Sequence, residues 1–238
     1  MSQTFERYEK KYLLDENQYH QVLDKIQSYV MHDAYYKSQI RSIYYDTDIY
    51  ELIRRSIEKP EYKEKLRIRS YGDTSDGEVF VEFKKKFDGI VYKRRTKANC
   101  KQVIDDIYHC DFNDAQIGKE IKYALNHYHN LHPCIYIGCD RTSYIGKQDN
   151  NLRITFDRHI SYRTKDLSLQ SSVNDKEVTD KTVMELKVDK AIPLWLCKIL
   201  DETKVYPHSF SKVGNALIKE MKEVSAWVIY LVQYSLIH

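Results

Sequence analysis

Basic side chains recur at every second residue in several short segments of this sequence. The segment KLRIR places Lys65, Arg67 and Arg69 at alternate positions, and EFKKK does the same with Lys84 and Lys86. Successive side chains of a β-strand point to opposite faces, so each segment would present its charges on one face and its apolar residues on the other. Like charges that face each other are unfavourable unless an anion binds them, and phosphate suits both arginine and lysine. The spacing therefore predicts a phosphate-binding sheet face.

The alternation continues in the other predicted strands and enlarges this basic face. The predicted phosphate-binding residues on it are Arg7, Lys11, Arg67, Arg69, Lys84, Lys86, Lys93, Arg95, Arg141, Arg153 and Lys187. The carboxylates on the same faces are Glu9, Glu82, Asp157 and Glu185. Because they are few, these carboxylates would either orient the cations or hold Mg²⁺ or Mn²⁺ against phosphate oxygens. A solvated face with its charges in salt-bridge pairs is the alternative, but the same bias in several strands favours an anion site.

The start of the last predicted helix offers a second kind of phosphate ligand. Ser211 and Lys212 stand there in the segment FSKVGN. A helix N-terminus can bind phosphate with the help of its dipole; an ordinary N-cap beside a surface lysine is the alternative. No GxxxxGK[ST] or GxGxxG motif occurs in the sequence, so a glycine-rich loop is not the expected phosphate cradle.

Hydrophobic periodicity predicts the elements that position these residues. The predicted strands cover residues 4–14, 38–46, 63–72, 78–87, 91–98, 134–145, 151–163 and 182–189. The predicted helices begin after Asp15, around 49, after Asn113, after Pro193 and at about 211. Gln18 completes a capping box with Asp15, and Thr47 or Asp48 is the predicted cap of the helix over 49–57. The polar segment 164–180 is predicted to be a loop.

These elements predict an α+β fold, an eight-stranded antiparallel β-barrel tunnel with flanking helices, in one domain over residues 1–238. The pair Asp88-Gly89 is a hairpin signal and supports antiparallel neighbours. If the apolar side of each strand packs outward on helices, the charged side lines the tunnel.

Composition limits the class of protein. The 238 residues are 42% hydrophobic and 31% charged, as expected for a soluble chain with a buried core. The formal net charge is only +3, so an anion site must come from local placement of charge, and nucleic acid is not the expected partner. The five cysteines include no CxxC pair, and the N-terminus lacks the apolar stretch of a signal peptide. We therefore expect reduced thiols and a cytoplasmic location.

The C-terminal segment VSAWVIYLVQYSLIH is apolar but shorter than the roughly 20 residues of a transmembrane helix. It is predicted to be the end of a packed helix, with a peripheral membrane contact as the alternative.

The motifs that carry the charges occur in the order seen in a known family. FERYEKKYLL, SIYYDT, KLRIRSYG, EVFVEFKKK, VYKRR, DRTSY, LRITFDR, MELKV and SFSKVGN follow one another over about residues 4–220. In this the chain resembles the VTC (vacuolar transporter chaperone) domain, the polyphosphate polymerase branch of the triphosphate tunnel metalloenzymes in the CYTH-like superfamily. Each motif is short, but all of them in register make the resemblance specific. It implies an eight-stranded tunnel that binds a triphosphate along its length.

The resemblance also implies an activity: transfer of the terminal phosphate of ATP to a growing polyphosphate chain, with Mn²⁺ or Mg²⁺ as cofactor. The implied phosphate ligands are Lys11, Arg67, Arg69, Lys84, Lys93, Arg141, Arg153, Ser211 and Lys212. Glu185 is the implied metal ligand, and Glu9 and Glu82 are further candidates. The residues expected to carry catalysis are Arg67, Arg69, Lys84 and Glu185.

One position departs from the wider superfamily. The N-terminal signature of the superfamily is ExExK. Here Arg7, Glu9 and Lys11 make RxExK, a form that resembles the VTC branch. The loss of an acid and gain of a cation shift this end of the tunnel from metal binding toward phosphate binding. Two alternatives to the polymerase stay open, a metal-dependent tunnel triphosphatase and a non-catalytic polyphosphate-binding module, because all three would share the basic face and the metal carboxylate.

Overall fold

The computed structural model describes residues 8–58, 60–88, 90–112, 115–189 and 191–235, with side chains as far as residue 225. Within these residues it confirms the α+β class, with one antiparallel sheet of nine strands and six flanking helices. The strands are β1 (Tyr8–Leu14), β2 (Val30–Asp46), β3 (Tyr62–Tyr71), β4 (Glu78–Phe87), β5 (Ile90–Asn99), β6 (His132–Gly146), β7 (Arg153–Arg163), β8 (Lys176–Thr179) and β9 (Thr182–Val188). The helices are α1 (Glu16–Ile26), α2 (Glu51–Glu58), α3 (Cys100–Asp105), α4 (Ala115–Tyr128), α5 (Leu194–Glu202) and α6 (Lys212–Ser235).

Eight strands follow one another across the sheet in the order β1-β9-β7-β6-β2-β3-β4-β5, and β8 pairs only with β7. The segment 164–180 is therefore not all loop, as the sequence predicts, because it contains β8. That strand has only four residues and is held by its pairing with β7, so its own residue pattern carries little signal. Helix α3 and the first half of β2 are likewise additions to the predicted elements.

The two ends of the sheet face each other across its concave side. No pairing joins β1 to β5 among the described residues, so backbone hydrogen bonds do not close the predicted barrel there. The charges of Glu9 and Lys11 on β1 nevertheless act on Lys84 of β4. This interaction places the two strands on opposite walls of one tunnel-like channel.

Side-chain caps fix the starts of two helices. The Asp15 carboxylate accepts from Gln18 N at 2.8 Å, and the Gln18 side chain accepts from Asp15 N at 3.2 Å, which confirms the predicted capping box. At α2, Thr47 accepts from a backbone N–H at 3.2 Å, as predicted. The fully buried Asp46 adds two more such bonds, at 2.9 and 2.7 Å, so its carboxylate serves the helix N-terminus.

The convex face of the sheet carries two hydrophobic clusters. Leu66 of β3 and Phe83 of β4 pack with Ile121 of α4 in the first. Phe156 of β7 and Met184 of β9 lie in the second, together with residues of α1 and α5. These apolar residues alternate with the charged residues of the same strands, so the charged sides face the concave side, as the sequence predicts.

One part of the concave face is apolar and is covered by α6. Ile135 and Ile137 of β6 lie on that face by register, and they pack in a third cluster with Val213 of α6. Gly214 lets α6 approach α2 closely, since a Cβ atom there would lie 3.1 Å from Ile57. The first turn of α6 is thereby held inside the tunnel, beside the charged part of the face.

Two further sequence-based expectations concern the cysteines and the C-terminal segment. All five cysteines are free, as expected. The apolar C-terminal segment is helical as far as Ser235, but its side chains beyond residue 225 lie outside the described part, so their packing stays a prediction. No helix in the described ranges has the length and hydropathy needed to cross a membrane.

Candidate functional site

Cross-strand register brings the predicted basic residues onto one surface. Arg67 is paired with Glu82, Glu82 with Arg95, and Lys84 with Lys93. The register of β1, β9, β7 and β6 does the same on the facing wall. We call this surface the tunnel face; it comprises Glu9, Lys11, Lys65, Arg67, Arg69, Glu82, Lys84, Lys86, Lys93, Arg95, Arg141, Arg153, Asp157, Glu185 and Lys187 of the sheet, with Ser211 and Lys212 of the α6 start.

Glu82 is the centre of the wall formed by β3, β4 and β5. Its buried oxygens lie 2.6 Å from Arg67 Nη2, 2.7 Å from Lys93 Nζ and 3.1 Å from Arg95 Nε. Burial by itself would raise the pKa of this carboxyl, but the charges of Arg67, Arg69 and Lys93 outweigh burial and hold the pKa well below its usual range. Glu82 therefore stays ionised and fixes the cations of this wall.

A buried pocket opens beside Glu82. Its lining residues are Tyr44, Lys65, Arg67, Glu82, Lys84 and Lys93. Burial, reinforced by neighbouring cations, lowers the pKa of Lys65 to about 8. Neither Lys65 nor Lys84 forms an ion pair with a carboxylate of the described residues, and Lys65 instead donates to Ser211 Oγ at 3.2 Å. The pocket thus holds two lysines with no carboxylate of the described residues within ion-pair distance.

Asp157 anchors the facing wall. Arg141 donates two parallel hydrogen bonds to it, from Nε at 2.5 Å and from Nη2 at 2.7 Å, and Lys212 donates a third. Burial would raise the pKa of Asp157, but the charges of Lys212 and Arg141 outweigh burial and keep the pKa well below its usual range. Two cations on one carboxylate leave net positive charge facing the channel.

The first turn of α6 joins the two walls. Ser211 Oγ accepts from Gly214 N at 3.2 Å, so it caps the helix, and it accepts the bond from Lys65 of β3. Lys212 is largely buried against Asp157 and does not lie at the surface. Ser211 is thus the N-cap of α6. Ser211 and Lys212 both lie on the tunnel face, among the other candidate phosphate ligands.

Two carboxylates lie together at β1 and β9. Lys11 Nζ lies 3.4 Å from Glu9 Oε1 and 3.8 Å from Glu185 Oε2. Lys187 Nζ lies 2.9 Å from the other Glu185 oxygen. Burial would raise the pKa of Glu185, but Lys187 and Lys11 lead the charges that outweigh it, and the pKa lies well below its usual range. Both lysines therefore share an ionised carboxylate.

This pair fits a divalent cation only with help from a ligand. Carboxylate oxygens suit Mg²⁺ and Mn²⁺, and phosphate sites commonly supply one or two of them and complete the shell with phosphate oxygens and water. Among the described residues no group of three metal-ligating side chains occurs. Glu9 and Glu185 fit such a two-carboxylate site. Glu82 fits less well, because three cations lie within 3.1 Å of its oxygens, whereas Glu185 has only Lys187 that close among the described residues.

The remaining predicted ligands lie toward the ends of the tunnel face. Arg153 is half exposed, and its Nη2 lies 3.2 Å from Asp33 Oδ2. Lys86 is half-buried near the end of β4. Arg7 lies outside the described residues, so its role stays a prediction.

Two residues of the pocket, Lys65 and Tyr44, are absent from the predicted ligand set. Lys65 shares the alternation of Arg67 and Arg69, so the signal for it is present in KLRIR. Tyr44 lies on the face of Ser42, whose hydroxyl accepts from Arg69 Nε at 3.1 Å. The motif SIYYDT contains two adjacent tyrosines, and the sequence alone does not say which of them faces inward.

Replacing Asp157 with Asn is expected to destabilise the protein by about 3 kcal/mol at neutral pH, because two buried cations lose their shared carboxylate. The folded-state pKa of Asp157 lies below the unfolded value of about 3.9. Its contribution is therefore complete above that value and is lost as pH falls toward the folded-state pKa. Urea unfolding at several pH values should show the difference between wild type and variant shrinking in acid; a constant difference would contradict this assignment.

An ion-pair cluster holds α6 against the end of the sheet. Lys176 Nζ of β8 lies 2.8 Å from Glu220 and 2.6 Å from Glu223, and Thr164 also donates to Glu220, at 3.0 Å. Lys176→Met should cost about 1 kcal/mol, since the pairs are partly exposed. Hydrogen exchange should speed up in α6 and not in β3. Lys25→Met, which breaks an exposed pair with Glu202 at 2.7 Å, is the matched control and should leave α6 unchanged.

Comparisons with known proteins bear on the family and on the fold of this chain. The family model described as VTC domain matches residues 6–219. Among solved structures, a candidate adenylate cyclase from Bacillus halodurans has a TM-score of 0.53 and 12% identity, with 85% of this chain and 92% of that chain covered. A Pyrococcus horikoshii protein has a TM-score of 0.45 and 14% identity, with 90% and 99% covered. At 12% identity the first of these structures shows a shared fold alone, and comparison with curated protein sequences finds no match.

Proposed function

The chain belongs to the VTC domain family, and from that membership we propose that it is an ATP-dependent polyphosphate polymerase. In the proposed reaction a terminal phosphate oxygen of a polyphosphate chain bonds to the terminal phosphorus of ATP inside the tunnel, the bond from that phosphorus to its bridging oxygen breaks, and ADP leaves. ATP and polyphosphate are the proposed partners, and the use of ATP fits a cytoplasmic protein.

The observation that carries the proposal is the pair of facing basic walls. On one wall Arg67, Lys93 and Arg95 share Glu82, and on the other Arg141 and Lys212 share Asp157. Cations in excess of carboxylates on both walls suit a linear polyanion that passes between them. A nucleotide triphosphate and an acceptor phosphate could then be held in line, one by each wall.

Catalysis in this proposal is positioning plus electrostatic stabilisation. Arg67, Arg69, Lys84 and Lys93 hold the phosphates of ATP, while Arg141 and Lys212 hold the acceptor. A phosphate oxygen of the acceptor is itself the nucleophile, so no protein nucleophile or strong general base is required. The transferred phosphoryl group keeps its negative charge throughout, and the fixed cations stabilise that charge without reorganising.

Glu185 and Glu9 are the residues that would hold Mn²⁺ or Mg²⁺. When bound, such an ion would neutralise charge on the phosphate oxygens that complete its coordination. Lys11 pairs with both carboxylates and Lys187 pairs with Glu185, so the two carboxylates are oriented along the tunnel face. Glu82 is not carried into the proposed metal site, because three cations lie within 3.1 Å of its oxygens and leave less room for a metal ion than the single such contact at Glu185.

The experiment is incubation of the protein with ATP and Mn²⁺, with polyphosphate separated on a gel. Long polyphosphate is the expected product, and Arg67→Ala should weaken nucleotide binding and yield. Release of orthophosphate alone would replace the proposal with a tunnel triphosphatase. Tight, salt-sensitive binding of polyphosphate with no turnover would replace it with a binding module.

A further inference from the structure

Tyr44 occupies a place in the pocket that the proposed reaction does not yet use. Its side chain is buried, at 7% exposure, and lies on the tunnel face opposite Arg67 in the register. Arg67 Nη1 donates to its hydroxyl at 2.7 Å. In the described part of the chain, no hydrogen bond takes the hydroxyl's own proton.

The groups that face the Tyr44 hydroxyl are almost all donors. Strand β3 contributes Lys65, Arg67 and Arg69, β4 contributes Lys84 and Glu82, and β5 contributes Lys93. The elements packed on the ring of Tyr44 contribute apolar residues, from α2, α6 and β6. Glu82 is the one carboxylate in this set, and its oxygens already contact cations. A hydroxyl in such a place can either lose its proton or donate it to an incoming anion.

We propose that Tyr44 is an additional phosphate ligand: its hydroxyl, which accepts from Arg67 and has no acceptor for its own proton in the described part of the chain, donates a hydrogen bond to a phosphate oxygen when a phosphate chain binds. Above neutral pH the surrounding cations favour the ionised hydroxyl while the pocket holds no anion, so binding then takes up one proton from solvent. No covalent bond forms or breaks, and the proton comes from water or buffer. The ionised form balances the surrounding cations in the empty pocket, and the bound phosphates replace it in that role.

The electrostatics of the pocket support this assignment. Burial alone would raise the pKa of Tyr44, but the charges of Arg67, Lys65 and Arg69 outweigh burial and lower the pKa to about 7. The neighbouring Tyr45 points to the convex face, donates to Val103 O at 2.9 Å, and has its pKa raised by burial. The pKa values of the two adjacent tyrosines are therefore shifted in opposite directions.

The test follows the near-ultraviolet absorption of tyrosinate while inorganic tripolyphosphate is added, at a pH between about 7 and the ordinary tyrosine pKa of about 10. The wild-type protein should show a tyrosinate band that is lost as the ligand binds. Tyr44→Phe should lack that band and should bind tripolyphosphate about tenfold more weakly near neutral pH, since a hydrogen bond to a charged group is lost.

Two variants identify the residue responsible. Tyr45→Phe removes the adjacent hydroxyl on the convex face and should keep both the band and the affinity. Tyr71→Phe is the second control and should also keep the band and the affinity. It is chosen because Arg95 donates a hydrogen bond to the Tyr71 hydroxyl and the pKa of Tyr71 is also lowered. Tyr44 and Tyr71 are the described tyrosines whose pKa is lowered, so retention of the ligand-sensitive band in both control variants would assign it to Tyr44 even if Tyr44→Phe failed to fold.

The inference rests on the proposed function, but the two fail differently. Wild-type protein that does not bind tripolyphosphate would refute phosphate binding itself. Wild-type protein that binds it without losing a tyrosinate band, or a Tyr44→Phe variant that binds it equally well, would overturn the role of Tyr44 alone.

Discussion

Glu82→Gln is expected to destabilise the ligand-free protein by about 3–5 kcal/mol. Glu82 is buried and lies within 3.1 Å of Arg67, Lys93 and Arg95. The amide would keep the size of the side chain but would leave three cations without a shared anion. A loss of this size is large against the whole stability of a domain, so urea unfolding should detect it readily.

Tripolyphosphate should rescue this variant more than it helps the wild type. A ligand at a hundredfold excess over its Kd stabilises a folded protein by about 2.7 kcal/mol, and a tunnel that lacks a negative charge should bind the anion more tightly. The rise in Tm on adding tripolyphosphate should therefore be larger for Glu82→Gln. Glu120→Gln is the matched control, since Glu120 pairs with Arg94 of β5 outside the tunnel at 3.1 Å. Equal rises in Tm for wild type and Glu82→Gln would show that Glu82 does not oppose anion binding.

Glu185→Gln should lower metal-dependent turnover by about a hundredfold or more, because a metal ion contributes several kcal/mol to stabilising the transition state. Binding of tripolyphosphate without metal should stay the same or tighten, since the change removes a negative charge beside Lys187 and Lys11. The measurements are the rate against Mn²⁺ concentration and the Kd for tripolyphosphate without metal.

Glu202→Gln is the control for this change, because Glu202 is an exposed carboxylate of α5 that pairs with Lys25. It should alter neither quantity. If Glu185→Gln lost anion binding and turnover in equal measure, Glu185 would be a structural member of the tunnel face, and the metal site would have to be sought elsewhere.

The charged face of the sheet could be predicted because strand alternation is a local property. Once KLRIR and EFKKK are strands, Arg67 and Lys84 must lie on one face, and hairpin pairing brings the two segments together. Asp15 and Gln18 could be predicted for the same reason, since a capping box lies within one turn.

What the sequence did not reveal depends on distant partners. The bond from Lys212 to Asp157 spans 55 positions, and no local pattern encodes it. The sequence also does not indicate that α6 packs on Ile135 and Ile137, because the segment CIYIGCD is typical of any strand buried on both sides. The short strand β8 becomes a strand through β7, and Tyr44 could be distinguished from Tyr45 only after β2 was placed against β3.

In strands β3 and β4, neighbouring residues have different roles: one packs in the core and the next faces the channel. Leu66 and Phe83 are buried under helices, while Arg67 and Glu82, one position away, face the channel. Substrate preference can therefore drift through one set of positions while the other set preserves the architecture. A systematic substitution scan along either strand should separate into two interleaved series, one that reports on folding and one that reports on ligand binding, with Glu82 as the exception that reports on both. A sheet organised in this way can keep its shape when the cations of its channel face are exchanged, as long as their shared carboxylate is kept.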